Sequence, residues 1–322
     1  MTILLTGGAG FIGSTLTPCL LTQGHTVLIV DNFNDSYDPA LKRQNMLALR
    51  RFSNWRLYEG DIRNQPLLDQ IFRANAVDVV VHLAGLAGVR PSLLNPAAYY
   101  DHNLNGTSVL LDAMRTANVD RLVFASSSSV YGERTRGSFR ETDRTDEPMS
   151  PYALSKRAAE LLCHQHYRLY GLNAYCLRLF TVYGPRQRPD MAISRFIHQL
   201  HTDQPLTLYG DGRSQRDYTY VDDVVGGIVR AIERVDGFDY INLGGASPIS
   251  LIGLVRLLEG LTNRRATIDW LPDQPGDVPY THADIQKARH LLDYQPATDL
   301  ITGLGEMVRQ YEQTNACAGV LA

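Results

Sequence analysis

Thr6-Gly7-Gly8-Ala9-Gly10-Phe11-Ile12-Gly13 follows a short apolar run, Thr2 to Thr6, and opens a helical pattern, Phe11 to Gln23. A strand, a G-x-x-G-x-x-G loop and a helix in that order form a cradle for a pyrophosphate. Gly7 permits the tight turn, Gly10 lets the backbone approach the phosphates, and Gly13 allows close helix–strand packing. The phosphate charge then meets the free N–H groups of the helix N-terminus. The next apolar run, His25 to Asp31, ends in a carboxylate at the spacing of a ribose-hydroxyl acceptor, with Asn32 beside it. A carboxylate there repels a 2′-phosphate, so NAD is expected rather than NADP.

Working outward, Trp55 to Glu59, Val77 to Leu83, Arg121 to Ser126 and Asn173 to Leu179 read as further strands, with helices over Pro91 to Asn118 and Pro151 to Tyr170. Val/Ile/Leu strands separated by helices predict a parallel sheet covered on both faces. The fold class is therefore α/β, a Rossmann-type doubly wound parallel sheet. After Phe180 the texture changes to a proline-rich loop, Tyr183 to Asp190, and shorter, more aromatic elements. Val221 to Arg234, a helix, and Asp239 to Leu243, a strand, are apolar enough to return to the sheet. The expected division is an NAD-binding domain over 1–180 plus about 218–247, and a smaller C-terminal α/β substrate-binding lobe over about 181–217 and 248–322. The tail after about Thr314 is expected to fray.

Chemistry-bearing residues fall at the ends of these strands. Asp61-Ile62, after the third, suits adenine: a carboxylate accepts its amino hydrogens and an aliphatic chain covers its face. Leu83-Ala84-Gly85, after the fourth, lies where a dinucleotide would pass, although both segments can also be plain strand ends. His82 reads as a packed strand histidine. Ser126-Ser-Ser-Ser-Val-Tyr131 leaves the fifth strand at the carboxyl edge, where such folds bind ligands. Tyr152-Ala-Leu-Ser-Lys156 puts a phenol and an ammonium on one helix face. The lysine is expected to pull the phenol below its free value of roughly 10, making it a base for an alcohol hydroxyl. No G-x-S-x-G surrounds any serine, which argues against a hydrolase.

With these residues in view, the chain resembles the extended short-chain dehydrogenase/reductase family, and within it the nucleotide-sugar 4-epimerases. The resemblance runs from Ile3 to about Tyr311 and includes HLAGLAGVRPS, YYDHNLNGT, SSSSVYG, YALSK, LRLFTVYGP, RDYTYVDD and QPGDVPYTHAD. It implies Tyr152 as base, Ser127 as the catalytic hydroxyl, and Lys156 as holder of the nicotinamide ribose. It further implies Asn103 as a structural asparagine of the cofactor site, Phe180 at the nicotinamide edge, Arg216 on a diphosphate, Tyr209 beside uridine and Asp277 on the uridine ribose. Many relatives have R-P-G-D where this chain has Gln274-Pro-Gly-Asp277, which puts that arginine's phosphate contact in doubt. A homodimer is implied, built from helices within Pro91 to Asn118 and Pro151 to Tyr170.

Relatives that eliminate water or carbon dioxide place an acid just before the valine of the serine loop. Here that position is Ser129, which favours epimerisation over a 4,6-dehydratase or decarboxylase. The stretches FTVYGPRQRPDMA, QPGDVPYTHAD and DNFNDSYD resemble UDP-glucuronate 4-epimerases; UDP-glucose and UDP-N-acetylglucosamine epimerases are the alternative. Oxidising C4 of a glucuronate makes a β-keto acid, so neutral hydroxyls such as Ser127, Ser128 and Thr181, with Arg188 nearby, suit its carboxylate. Arg188 can equally be a solvated loop charge, and Arg90 can face either the diphosphate or solvent. A non-catalytic NAD-sensing protein on the same fold could dispense with the Tyr/Lys pair, and this chain keeps both.

Composition narrows the partners. A net charge of −3 and a pI near 6.3 give no basic field for nucleic acid or an anionic membrane. No apolar run approaches ~20 residues, and with Met1 running straight through the first strand into the glycine loop no signal peptide is expected. Cys19, Cys163, Cys176 and Cys317 lack C-x-x-C spacing; the first three read as buried free thiols, fitting a reducing cytoplasm.

Overall fold

Strand-forming runs that alternate between two faces account for the core. The computed structural model describes residues 1–134 and 136–320, and side chains through 315. In chain order the strands are β1 (Thr2–Thr6), β2 (Thr26–Asp31), β3 (Trp55–Glu59), β4 (Val79–His82), β5 (Arg121–Ser127), β6 (Asn173–Leu179), β7 (Thr181–Tyr183), β8 (Leu206–Tyr209), β9 (Gln215–Tyr220), β10 (Phe238–Leu243), β11 (Pro248–Ser250) and β12 (Ile268–Leu271). Ile3, Leu5, Val27, Ile29, Val79 and Val81 pack into a core on one face. Their neighbours Leu4, Leu28, Val30 and Val80 pack into a second core on the other. A two-residue period with both sets apolar is what burial on both faces requires.

The large sheet runs β10-β6-β5-β4-β1-β2-β3, with every pair parallel. Chain order reverses between β1 and β4, so the loops leaving these two strands part and open a crevice at their carboxyl ends. β10 joins the edge beside β6, as the apolar pattern of Asp239 to Leu243 predicts.

The helices Phe11–Thr22, Pro151–Tyr170 and Val221–Arg234 stand where expected. The single helix expected over Pro91 to Asn118 does not form. It is split into Val89–Leu94, Pro96–Tyr99, a π-helical turn over Tyr100–Asn105, and Gly106–Thr116. Asn95 causes the first break: it precedes a proline, lies at φ −141°, and caps the new start by accepting from Ala98 N.

The smaller lobe holds the sheets β11-β9-β7 and β12-β8 over a third core that includes Phe196, Leu208, Leu254 and Leu304. Ala283, Ile285, Ala288 and Leu292 pack instead with Val224 and Ile228 against the large sheet. The expected fraying after Thr314 gives way to a helix over Leu300–Val320, where Thr314 and Asn315 donate back to the carbonyls of Gln310 and Tyr311. Residues 321–322 lie outside the described residues. Cys163 and Cys176 are buried free thiols and Cys19 is half-buried, while the side chain of Cys317 lies outside the described residues. No helix among the described residues is long and apolar enough to cross a membrane.

Candidate active site

The glycine loop is held by contacts that exclude side chains. Gly7 sits at φ +74°, and a Cβ there would lie 2.7 Å from Ala84 N; one on Gly13 would meet Gly8 Cα at 2.7 Å. The loop thus packs β1 against the end of β4 and leads into the Phe11–Thr22 helix. That helix starts at Gly10 with no side-chain cap and no acid in its first turn. Its leading N–H groups are left for an anion. Asp31 is buried and accepts from Ala9 N (3.0 Å) and Phe33 N (2.9 Å). Burial pushes its carboxyl up, and these two N–H groups pull against that shift.

Asp61 lines the cleft with its carboxylate already engaged. Its Oδ1 accepts from Arg63 N (2.9 Å) and Nε (2.8 Å), and its Oδ2 from Arg63 Nη2 (2.7 Å) and Asn32 Nδ2 (2.8 Å). A carboxylate offers about four acceptor sites, and all are taken. The Arg63 guanidinium holds this carboxyl well below the usual range. An adenine amino group would have to share an oxygen, which leaves Ile62 as the freer partner.

One continuous cleft links these parts. Gly7, Gly10, Phe11, Ile12, Gly13, Asp31, Asn32, Asp61, Ile62, Leu83, Ala84 and Gly85 line it towards the glycine loop. Ser127, Ser128, Tyr152, Lys156, Phe180, Thr181 and Arg188 line it beyond. An uncapped helix N-terminus, a buried acid at the second strand end and a cleft running on to a Tyr/Lys pair fit a dinucleotide. Asn103 does not line the cleft. Its Oδ1 accepts from Leu86 N (2.7 Å), and its Nδ2 donates to Leu86 O (2.9 Å) and Ser155 Oγ (2.9 Å). It ties the Gly85–Leu86 turn to the Tyr152 helix, so its expected place at the cofactor site is behind the lining and not in it. His82 is packed between the Thr6 and Thr107 hydroxyls, and burial pushes it down to about 3.

At the catalytic end, Ser150 caps the Pro151–Tyr170 helix by accepting from Ala153 N (3.1 Å), which puts Tyr152 in the first turn. β5 runs one residue further than expected, to Ser127, whose Oγ donates to Ser129 Oγ (3.1 Å). Lys156 Nζ donates to Ala125 O (2.8 Å). Burial pushes Lys156 down to about 8. Burial also pushes the Tyr152 phenol up, with Ser127 and then Arg188 acting against it. The expected lowering of Tyr152 by Lys156 is therefore not found in the protein alone: desolvation of the phenolate outweighs its neighbours. Arg188 is no solvated loop charge. Its Nε and Nη2 donate to Asp190 (2.9 and 2.6 Å) and its Nη1 to Ala87 O (3.2 Å).

The four remaining predicted residues gather outside the cleft lining, next to Val89. Arg90 Nη2 pairs with Asp277 Oδ2 at 2.6 Å, and its guanidinium lies 4.0 Å from the Tyr209 ring centroid. Arg216 is brought to the same cluster. Burial lowers its pKa, Asp277 opposes that, and Arg90 adds to it. Its neighbour Asp217 fixes β9 by accepting from Gly245 N (2.9 Å), Ala246 N (3.1 Å) and Ala283 N (2.8 Å).

Sequence reasoning missed two features. Lys42 and Tyr37 line the cleft from the segment after β2. Glu160, one turn past Lys156, is fully buried and accepts from Ser126 Oγ (2.6 Å), Arg178 Nε and Nη2 (both 2.9 Å) and Arg157 Nη1 (3.0 Å). The Lys156–Glu160 spacing was the available signal for the second.

A doubly wound sheet with an anion-ready glycine loop, and a Ser/Tyr/Lys group further along the same cleft, defines an NAD(P)-type oxidoreductase site. The chain belongs to the NAD dependent epimerase/dehydratase family, whose model matches residues 3–244. It is 42% identical over 306 residues to a UDP-glucuronate 4-epimerase of Thermodesulfobacterium geofontis, covering 95% of this chain and 94% of that one. It is similar in structure, at a TM-score of 0.93 and 38% identity, to UDP-glucuronic acid 4-epimerase from Bacillus cereus in complex with UDP-glucuronic acid and NAD. That match covers 98% of this chain and 100% of the other. A UDP-glucose 4-epimerase from Thermotoga maritima with UDP-glucose matches at 0.90 and 32% identity, with 98% and 100% covered.

Proposed function

We propose that this protein converts UDP-glucuronate to UDP-galacturonate, inverting C4 through a transient 4-keto sugar, with NAD as its resident cofactor. The observation that carries the reading is the single cleft in which Ser127, Tyr152 and Lys156 adjoin a dinucleotide cradle while Ser129, not an acid, completes the serine run. The glycine loop, the Phe11–Thr22 N-terminus and Asp31 hold the dinucleotide, and Lys156 its nicotinamide ribose. Bound NAD accepts and returns the C4 hydrogen with its electron pair. Tyr152, as phenolate, takes the 4-hydroxyl proton and later gives it back. Ser127 donates to the same oxygen as it becomes a carbonyl. Ser128, Thr181 and Arg188 hold the sugar carboxylate by hydrogen bonds without supplying a proton for loss of carbon dioxide. Tyr209, Arg216 and Asp277 in the smaller lobe, with Arg90, hold UDP while the sugar turns its other face.

Purified protein given UDP-glucuronate and UDP-glucose separately, with the C4 epimers resolved by NMR, tests this. UDP-galacturonate is the expected product. Epimerisation of UDP-glucose alone overturns the substrate, and no epimer from either overturns the reaction.

The active form is a homodimer. Leu93 and Leu94 at the end of the Val89–Leu94 helix, Tyr100 on the π-helical turn beyond the break, and Leu154, Leu161 and Tyr170 on the Pro151–Tyr170 helix are exposed apolar residues suited to pairing with a second copy. Light scattering showing a monomer at micromolar concentration overturns it. Its free thiols suit the cytoplasm.

A further inference from the structure

We propose that Lys42 is a cofactor-binding residue whose ammonium pairs with the dinucleotide's pyrophosphate, sharing that charge with the N-terminus of the Phe11–Thr22 helix. This rests on the reading that the cleft takes NAD.

The first observation is an ammonium with no carboxylate in contact with it. Glu160 and Arg178 are buried but pair with each other, and Asp31 and Asp217 accept backbone N–H groups. Lys42 is 5% exposed, and among the described residues no carboxylate reaches it within ion-pair distance. Its Nζ donates to Asn34 O (2.8 Å) and Asn34 Oδ1 (2.7 Å), both neutral acceptors on one residue. An ammonium has three donors, so one is left without a protein partner. The Tyr37 ring, 4.7 Å from Nζ, supports the charge on its face but does not neutralise it. A buried charge held this way is costly unless a ligand completes it. Burial pushes Lys42 down, Asp31 pulls it back, and Arg188 adds to the lowering.

The second observation is where this charge stands. Lys42, Gly10 and Gly13 line one cleft, and the helix that starts at Gly10 leaves its first N–H groups uncapped. Of the other cations lining that cleft, Lys156 donates to Ala125 O and is assigned to the nicotinamide ribose, and Arg188 already has a carboxylate partner in Asp190 and is assigned to the sugar carboxylate. Arg90 and Arg216 belong to the separate cluster with Asp277. Two diphosphates enter this site during the proposed reaction, and each then has its own cation: Arg216 for the sugar nucleotide and Lys42 for the dinucleotide.

The test is binding, not turnover. Equilibrium dissociation constants for NAD, ADP and adenosine are measured by calorimetry on the NAD-free protein and its Lys42→Met and Lys42→Arg variants, with a melting temperature for each. Losing one charge-assisted hydrogen bond is expected to weaken NAD and ADP about tenfold or more in Lys42→Met. Adenosine, which lacks the phosphates, is expected to bind unchanged, and Lys42→Arg to recover most of the loss. Unchanged NAD and ADP affinity in a folded Lys42→Met overturns the proposal, as does an equal loss for adenosine, which would place the contact on the ribose. If Lys42→Met does not fold, Lys42→Gln keeps a donor for Asn34 without the charge and is judged by the same outcomes. Because no sugar nucleotide is present, failure here is distinguishable from failure to epimerise UDP-glucuronate.

Discussion

Replacing Lys156 with Met is expected to make the protein more stable while removing a group the proposed chemistry needs. Lys156 is 6% exposed, and burial takes its pKa from 10.5 to about 8. At about 1.4 kcal/mol per tenfold, keeping that ammonium charged in the fold costs about 3 kcal/mol. Met fills nearly the same volume without the charge, but the Nζ donation to Ala125 O at 2.8 Å is lost. A hydrogen bond from a charged donor contributes about 1.5 kcal/mol or somewhat more, so the net gain at neutral pH is about 1 to 2 kcal/mol. Because the folded value lies below the unfolded one, the penalty is full below about pH 8, where both states are charged. It fades as pH rises towards 10.5, where the unfolded chain also gives up its proton. Urea unfolding of both proteins at about pH 7 and about pH 10 reads the difference directly. A Lys156→Met variant less stable than the parent at neutral pH, or a gap that does not narrow on the alkaline side, refutes the reasoning. The expected result would mark Lys156 as a residue kept for function at the expense of stability.

Tyr152 is pushed above 10, so difference absorbance between the NAD-free parent and Tyr152→Phe should show no phenolate near neutral pH; a phenolate there would contradict the burial argument. With UDP-glucuronate as substrate, Tyr152→Phe is expected to lose about a thousandfold in turnover while retaining NAD, and near-normal turnover removes Tyr152 from the mechanism. Ser128→Ala and Thr181→Ala are expected to raise the fraction of decarboxylated, pentose-bearing product; chromatography showing no increase counts against their hold on the carboxylate. Arg178→Met strips two of the four donors from the buried Glu160 carboxylate and is expected to cost about 3 to 5 kcal/mol, so a loss under about 1 kcal/mol in urea unfolding would show the pair to be dispensable.

The parts of the molecule that were legible in the sequence are those written in local periodicity. The alternate packing of Ile3/Leu5 and Leu4 on opposite faces, the loop from Gly7 to Gly13 and the Pro151–Tyr170 helix each follow from a few neighbouring residues. The break at Asn95 was visible in principle, since a proline follows it, but the apolar spacing across it concealed the change. Long-range electrostatics were not legible. Nothing adjacent to Asp61 reveals that Asn32 fills one of its acceptor sites, nor does anything near Lys156 show that its ammonium turns to Ala125. Lys42 lies on a helix of mixed polarity, so only the folded chain shows that this lysine, unlike Arg43 beside it, is buried.

The serine run illustrates how one polar position can serve the reaction by what it does not offer. Ser129 N donates to Ser127 Oγ at 3.2 Å, and the two hydroxyls meet at 3.1 Å. Position 129 therefore props the hydroxyl that the proposed reaction sets against the sugar oxygen. A carboxylate at this position would be a stronger acceptor than a ketone oxygen and would draw the Ser127 proton towards itself. It would also add negative charge beside Tyr152, whose phenol burial already pushes up, and so disfavour the phenolate further. A neutral hydroxyl accepts the Ser127 proton more weakly and, unlike a carboxylate, can turn to donate to Ser127 Oγ instead, which frees that proton for the ketone oxygen; it also offers no acid for proton transfer at C5 or C6. The same choice that leaves the run without an acid for elimination thus suits the proposed reaction, in which Tyr152 takes and returns the 4-hydroxyl proton and Ser127 donates to the oxygen.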